Sequence, residues 1–198
     1  MKEMNNEKKI SKPPYGRTES FDLIFEFLSF KKNMQFLEIG MTKNSKTENI
    51  NGEGYSTPYI SWVAYKTNSK FTSIDIEEVC KFICERILRS FNLLNDNIEL
   101  ITADALEYLK GWDKNIDFIY LDAWDYTKGN EESSAMNHLK VFQLIEKWLN
   151  KDAYILIDDI INHDTYEGKG KYLIPYLLKN NYELVYSGYQ YLFKKDYE

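Results

Sequence analysis

Q-F-L-E-I-G, residues 35–40, followed after a polar segment by G-E-G-Y-S-T-P, residues 52–58, is the stretch whose reading decides the fold. Phe36, Leu37 and Ile39 make a short apolar run of the length expected for a strand covered on both faces, and Gly40 ends it where the chain must turn. Gly52 and Gly54 then precede Ser56, Thr57 and Pro58, which predicts a helix start with a hydroxyl cap and proline in its first turn. Strand, glycine-bearing loop and helix N-terminus together form a ligand-binding edge, because free backbone N–H groups and small residues let a polar ligand approach the main chain. Glu38 is expected at that edge with its carboxylate directed at the ligand.

Upstream, residues 1–16 are polar and lysine-rich with Pro13 and Pro14, the composition of a flexible arm. Phe21, Ile24, Phe25 and Leu28 then recur at helical spacing, which predicts an amphipathic helix covering one edge of the site. Downstream, residues 41–51 form a polar insertion without periodicity, to be read either as a functional flap or as a slack loop. A helix over 58–66 leads to a strand over 71–76, F-T-S-I-D-I, and the spacing from Gly54 to Asp75 fits a βαβ unit whose second strand ends in a ribose-binding acid.

The alternation continues with a helix over 77–91, its Val79, Ile83, Ile87 and Leu88 inward, and a strand over 97–102. Ala103 and Asp104 enter a short helix, and the strand over 116–121 stops at Asp122. A helix over 134–149 precedes a strand over 153–157 that ends in Asp158 and Asp159. After a polar loop and a helix over 172–179, strands over 182–186 and 189–193 form an antiparallel hairpin through Ser187 and Gly188. The predicted fold is α/β: a doubly wound, mostly parallel, seven-stranded sheet with a C-terminal antiparallel hairpin, forming one domain over 17–198.

Composition narrows the function classes. The 198 residues, 43% of them hydrophobic, suffice for one core, and a net charge of −6 with a pI near 5.1 opposes nucleic-acid binding. No apolar run is long enough for a bilayer and the N-terminus lacks a signal-peptide core, so no membrane association and a cytoplasmic location are expected. Cys80 and Cys84 share a helix face at a spacing that is neither redox nor zinc-like, and read as small core residues.

Ligands of such sheets bind beyond the carboxyl ends of the strands. Glu38, Asp75, Asp104, Asp122, Asp158 and Asp159 all fall there, although aspartate after a strand also serves simply to cap the next helix. Asp122, Asp158 and Asp159 brought together would repel one another unless a cation neutralised them, and oxygen ligands suit magnesium or calcium. The competing reading has Asp158 facing the cofactor and Asp159 as a solvated cap. Asp125, His138 and His163 are the base candidates, His163 being better placed than His138. Trp124, Tyr126 and Tyr166 are either acceptor-pocket walls or packing residues. The run G-K-G-K, residues 168–171, lacks the phosphate-loop signature, which argues against a nucleoside-triphosphate role.

The order of elements, with L-E-I-G, G-E-G-Y-S-T, S-I-D-I, T-A-D-A, Y-L-D-A-W-D and I-L-I-D-D before the hairpin E-L-V-Y-S-G-Y-Q-Y-L-F, resembles class I S-adenosylmethionine-dependent methyltransferases over residues 22–195. It is most similar to small-molecule O-methyltransferases that hold a divalent cation on strand-end aspartates. The compact glycine-rich turn usual after the first strand is replaced here by the 41–51 segment. The resemblance implies S-adenosyl-L-methionine as cofactor, with Glu38 and Gly40 near its methionine part, Asp75 at the ribose, and Asp104 and Ala105 at the adenine. Gly54, Ser56, Ile76 and Asp122 complete the expected cofactor contacts, Asp125 and His163 are the expected catalytic residues, and Mg2+ on Asp122, Asp158 and Asp159 is the second cofactor it raises. Methyl transfer to a hydroxyl, less favourably an amine, of a small-molecule or sugar-containing acceptor follows, with self-association as a homodimer left open. A noncatalytic nucleoside-binding or scaffold domain of the same fold is the alternative, and the absence of G-x-G-x-x-G weighs against a nicotinamide oxidoreductase.

Overall fold

The computed structural model of the chain describes residues 16–44 and 55–195, so the arm up to residue 15, most of the 41–51 insertion and Gly54 lie outside the described residues. Helix α1 (Thr18–Leu28) leads into β1 (Gln35–Ile39), followed by α2 (Ser56–Lys66), β2 (Lys70–Asp75), α3 (Glu78–Ser90), β3 (Ile98–Thr102), the short α4 (Ala105–Tyr108) and β4 (Ile116–Leu121). Helix α5 (Glu131–Ile145), β5 (Leu149–Ile157), two short strands β6 (Ile160–Asn162) and β7 (Glu167–Gly168), α6 (Leu173–Lys179), β8 (Tyr182–Ser187) and β9 (Tyr191–Lys195) complete the order. Seven strands form one sheet, β3-β2-β1-β4-β5-β9-β8, in which β9 runs antiparallel to both neighbours. The strand order reverses between β1 and β4, which pair in parallel through Phe36–Phe118 and Ile39–Leu121.

Helices cover both faces. Phe36, Phe71, Phe118 and Tyr120 pack beneath α1, α2 and α3, with Phe21 edge-on to Tyr59 and Tyr120 at centroid distances of 5.2 and 5.4 Å. Leu37, Ile39, Ile119 and Ile155 face the other way and pack with Val141 and Phe142 of α5 and Leu173 and Leu177 of α6. Burial on both faces is why β1 after Gln35 reads as an apolar run interrupted only by Glu38.

Several local expectations change. The inward stripe of α3 is Cys80, Cys84, Ile87 and Leu88, whereas Val79 is 57% exposed; i, i+4, i+7, i+8 starting at Cys80 satisfies the same period once cysteine counts as apolar. Helix α5 begins earlier and ends earlier, because Glu131 and Glu132 suit the positive end of its dipole and Leu149 pairs with Ile116 as the opening of β5. At the hairpin, Gly188 N–H donates to Gln190 O, so Tyr189 and Gln190 lie in the turn rather than in β9. Ser56 and Thr57 sit inside the first turn of α2 and do not cap it. The cap comes from Thr42, whose Oγ1 accepts from Thr57 N–H at 3.2 Å while Thr57 Oγ1 accepts from Thr42 N–H at 2.9 Å.

Glu38 lies on the Phe36 face, fully buried, and ties three elements together. Its Oε2 accepts from Thr57 Oγ1 of α2 at 2.8 Å and from Ser73 Oγ of β2 at 2.5 Å, and among the described residues Oε1 has no partner. Burial, helped by Asp122, pushes the Glu38 carboxyl up to about 8 against the opposing hydrogen bonds from Ser73, Ser56 and Thr57.

The junction of β1 with its neighbours can be probed at two residues. Gly40 has φ +95°, and a Cβ there would come within 2.7 Å of the Asp122 carbonyl, so Gly40→Ala is expected to lower unfolding free energy in urea by about 2–4 kcal/mol. A raised Glu38 pKa means that the folded state holds a proton the unfolded chain has lost. That contribution to stability is full below the ordinary value of 4.5 and is lost as pH rises toward about 8. Thermal melts between those limits should show a downward slope that Glu38→Gln flattens; parallel slopes in the two proteins would contradict the assignment.

Candidate active site

Backbone hydrogen bonds align the strand exits into one rim. Ala103 N–H donates to Asp75 O, Gly40 N–H to Ile74 O, Asp122 N–H to Ile39 O and Asp158 N–H to Leu121 O, at 2.8–3.1 Å, so each strand's exit is pinned to its neighbour's. The acids that end these strands therefore share an edge of the sheet, across the point where the strand order reverses.

Two clefts open along this rim. The first, about 210 Å³, lies over β1, β2, β3 and β4 and is lined by Gly40, Asp75, Ile76, Asp104, Ala105 and Asp122, together with Trp124, Asp125 and Lys43. Asp75 Oδ2 accepts from Met41 N–H and Oδ1 from Glu77 N–H, both at 2.8 Å, which holds the carboxylate at the cleft floor. Asp104 caps α4, accepting from Leu106 and Glu107 N–H, and borders the cleft at the same time. The second cleft, about 250 Å³, is more polar and is lined by Arg17, Met41, Lys43, Asp122, Asp125, Asp159 and Lys169. Lys43, Asp122 and Asp125 belong to both.

Asp122, Asp158 and Asp159 do converge, with one carboxylate oxygen from each lying within 4.8 Å of the others. Two cations of the chain already stand among them. Arg17 binds Asp158 through Nε at 2.9 Å and Nη2 at 2.6 Å, and reaches Asp159 Oδ1 at 3.1 Å. Lys169 Nζ lies 2.5 Å from Asp122 Oδ1, 2.8 Å from Asp159 Oδ2 and 3.2 Å from Asp122 O. Gln190 Nε2 donates to Asp158 Oδ1 at 2.6 Å, Tyr120 O–H to Asp122 Oδ2 at 3.1 Å, and Tyr189 O–H to Asp159 Oδ1. Burial pulls the Lys169 amine down, but Asp122, Asp158 and Asp159 outweigh it and leave the pKa above the ordinary lysine value. Burial and Asp122 raise the Asp158 carboxyl, with Arg17 and Lys169 working against that rise.

The other expected residues fall in different surroundings. Glu38 points into the interior and lines neither cleft, because the alternation of β1 puts it on the α2 side; Ser56 is buried in α2, and Gly54 lies outside the described residues. Asp125 borders both clefts but is held by Lys43 Nζ at 2.7 and 2.9 Å, a hydrogen bond that keeps its carboxyl below the usual range. His163 borders neither cleft. Its Nδ1 meets Tyr191 O–H at 3.1 Å and its ring stacks on Tyr191. His138 is fully buried, bonded to Ser134 O through Nδ1 at 2.8 Å, and burial lowers its pKa to about 3, so it remains neutral beneath Trp124. Trp124 lines the first cleft, and Tyr166 packs edge-on to Tyr191.

Arg17, Lys43, Lys169, Tyr189 and Gln190 were not singled out by sequence reasoning. The available signal was G-K-G: Gly168 has φ +120°, and a Cβ there would strike Asp159 O at 1.9 Å, so the glycine lets the chain press against the end of β5 and aim Lys169 at the acids.

Comparison with known proteins accords with this geometry. No curated protein matches the sequence at a significant level. A caffeoyl-CoA O-methyltransferase-like protein from Staphylococcus aureus superposes with a TM-score of 0.62 at 16% identity, over 91% of this chain and 84% of that one. A methyltransferase from Geobacter sulfurreducens gives 0.61 at 16% identity over 90% and 79%, and an SAH-bound methyltransferase from Podospora anserina gives 0.60 at 15% over 90% and 79%. These likenesses concern the fold. No helix among the described residues is long and apolar enough to cross a membrane. The family model described as "Methyltransferase domain" matches residues 51–160, and with that match, the sheet order and the rim above it, the chain belongs to the methyltransferase-domain family as a class I S-adenosylmethionine-dependent methyltransferase.

Proposed function

We propose that this chain transfers the methyl group of S-adenosyl-L-methionine to a hydroxyl oxygen, less favourably an amine nitrogen, of a small polar molecule. The observation that carries this reading is the pair of adjoining clefts with a common wall of Lys43, Asp122 and Asp125. The first cleft is assigned to the cofactor. Asp75, already oriented by two backbone N–H groups, has lone pairs left for ribose hydroxyls, and Ile76 and Ala105 supply apolar surface for an adenine. The second is assigned to the acceptor, whose polarity would match a lining of three cations and three carboxylates.

In the reaction the acceptor oxygen forms a bond to the methyl carbon as the carbon–sulfur bond breaks, and the hydroxyl proton leaves to a base. The sulfonium charge is lost in this step, so alignment of the two molecules contributes more than any single group. Asp122 stands on the wall between the clefts, where its negative charge would favour a sulfonium cofactor over its neutral product. Asp125 is the proton acceptor on the same wall. Its lowered pKa makes it a weak base, which favours an acidic hydroxyl such as a phenol or enol. Arg17 and Lys169 already pair with the three aspartates, and the proposed chemistry runs without a divalent cation.

Calorimetry with S-adenosylhomocysteine tests the cofactor assignment. One equivalent should bind, and Asp75→Asn should weaken it by about 10-fold, the usual cost of replacing a charged acceptor by a neutral one. The same change should also lower thermal stability, because the amide can accept from only one of the two backbone N–H groups that hold Asp75. No measurable binding by the wild-type chain would refute the proposed function.

A further inference from the structure

A rim carrying three adjacent aspartates is arranged like a cation site, but two cations of the chain already fill it. All six carboxylate oxygens of Asp122, Asp158 and Asp159 accept from side chains of this chain. Arg17 serves both oxygens of Asp158 and Oδ1 of Asp159, where Gln190 and Tyr189 add their own donors, while Lys169 takes Asp159 Oδ2 and Asp122 Oδ1 and Tyr120 takes Asp122 Oδ2. The lysine, for its part, has no donor to spare. Its three N–H donors match three acceptors, Asp122 Oδ1, Asp159 Oδ2 and Asp122 O, and its side chain is 1% exposed. To admit a divalent ion, this ammonium would have to leave an almost completely buried position and its three acceptors.

The surroundings hold both cations in place. Gly168, immediately before Lys169, tolerates no Cβ, and a Cβ at Gly170 would meet Ile174 and Ile160 side chains at 2.4 and 2.6 Å, so the backbone carrying the lysine is wedged between β6 and α6. Lys169 N–H also donates to Asp159 O at 3.2 Å. Arg17 stacks over Tyr189 with its guanidinium carbon 4.7 Å from the ring centroid, and Ser20, one turn into α1, donates to Gln190, which in turn donates to Asp158 and to Tyr120 Oη. The two charges and their supports come from four separate parts of the chain.

We propose that Arg17 and Lys169 are built-in counter-ions that take the place of a divalent cation at this rim, so that the protein binds no divalent metal between Asp122, Asp158 and Asp159 and its methyl transfer does not depend on one. The statement about metal stands on the rim alone. The statement about transfer rests on the proposed function, and one set of measurements separates the two.

The test uses the full chain, Mn2+ followed by electron paramagnetic resonance, Mg2+ and Ca2+ as competitors, and S-adenosylhomocysteine titrated in the same samples with and without chelator. The wild-type chain should show no saturable Mn2+ binding in the millimolar range, and its affinity for S-adenosylhomocysteine should be unchanged by chelator. Lys169→Gln removes the competing charge at similar length, and the variant should gain one equivalent of Mn2+ binding that Mg2+ displaces. One equivalent of Mn2+ on the wild-type chain that disappears in Asp122→Asn would overturn the proposal whether or not the Lys169 variant folds, and a folded Lys169→Gln that gains no Mn2+ binding would overturn it as well. Failure of S-adenosylhomocysteine to bind would remove the proposed function while leaving the Mn2+ result to decide the counter-ion assignment.

Discussion

Three carboxylates held within 4.8 Å of one another at the half-dry end of a sheet cannot all remain ionised unless positive charge stands beside them. The parallel sheet creates this difficulty by its own regularity, since pinning each strand exit to its neighbour also lines up whatever residue follows each strand. The resolution is tertiary. Arg17 reaches Asp158 across 141 positions of sequence, and Lys169 reaches Asp122 across 47. Removing either partner would leave buried charge uncompensated, which is far more destabilising than losing a surface ion pair. The rim thereby fixes the N-terminus of α1, the chain after β7 and the tip of the β8–β9 hairpin relative to the parallel strands.

That dependence explains what could be read from the sequence. Strands β1, β4 and β5 are legible because burial on both faces demands an apolar run, β2 is legible from Phe71 and Ile74 ahead of its closing Asp75, and the exits are legible because glycine or aspartate stops each one. From these the mostly parallel sheet, the rim and the convergence of Asp122, Asp158 and Asp159 could be anticipated. The counter-ions could not. Arg17 looks like one more basic residue at the edge of a polar arm, and nothing local distinguishes its guanidinium from those of Arg86 or Arg89 on α3. Tyr189 and Gln190 were hidden by a turn placed two residues too early, a boundary that depends on how β9 registers against β5.

Glu38 was misdirected for a different reason. Its position at the end of β1 suggests a ligand contact, but a strand alternates sides, and Phe36 two residues earlier marks the face on which Glu38 must lie. That face packs against α2, and the carboxylate is occupied by Thr57 and Ser73, joining the first crossover helix to the two central strands. The same logic accounts for α3, where a cysteine-inclusive stripe and a valine-inclusive stripe have equal periodicity and only packing against the sheet chooses between them.

The counter-ions also constrain how the two clefts work together. A diffusible cation binds according to its concentration, whereas an ammonium on the chain is present in every molecule and asks only that one long side chain be held in one conformation. Gly168 and Gly170 ease that ordering by bringing the backbone close enough for the lysine to reach both Asp122 and Asp159. Asp122 then faces two demands: its two oxygens serve Lys169 and Tyr120, while the residue also lines the wall shared by both clefts. Its negative charge is thus only partly neutralised inside the rim, and what remains acts where a positively charged methyl donor and its acceptor would meet.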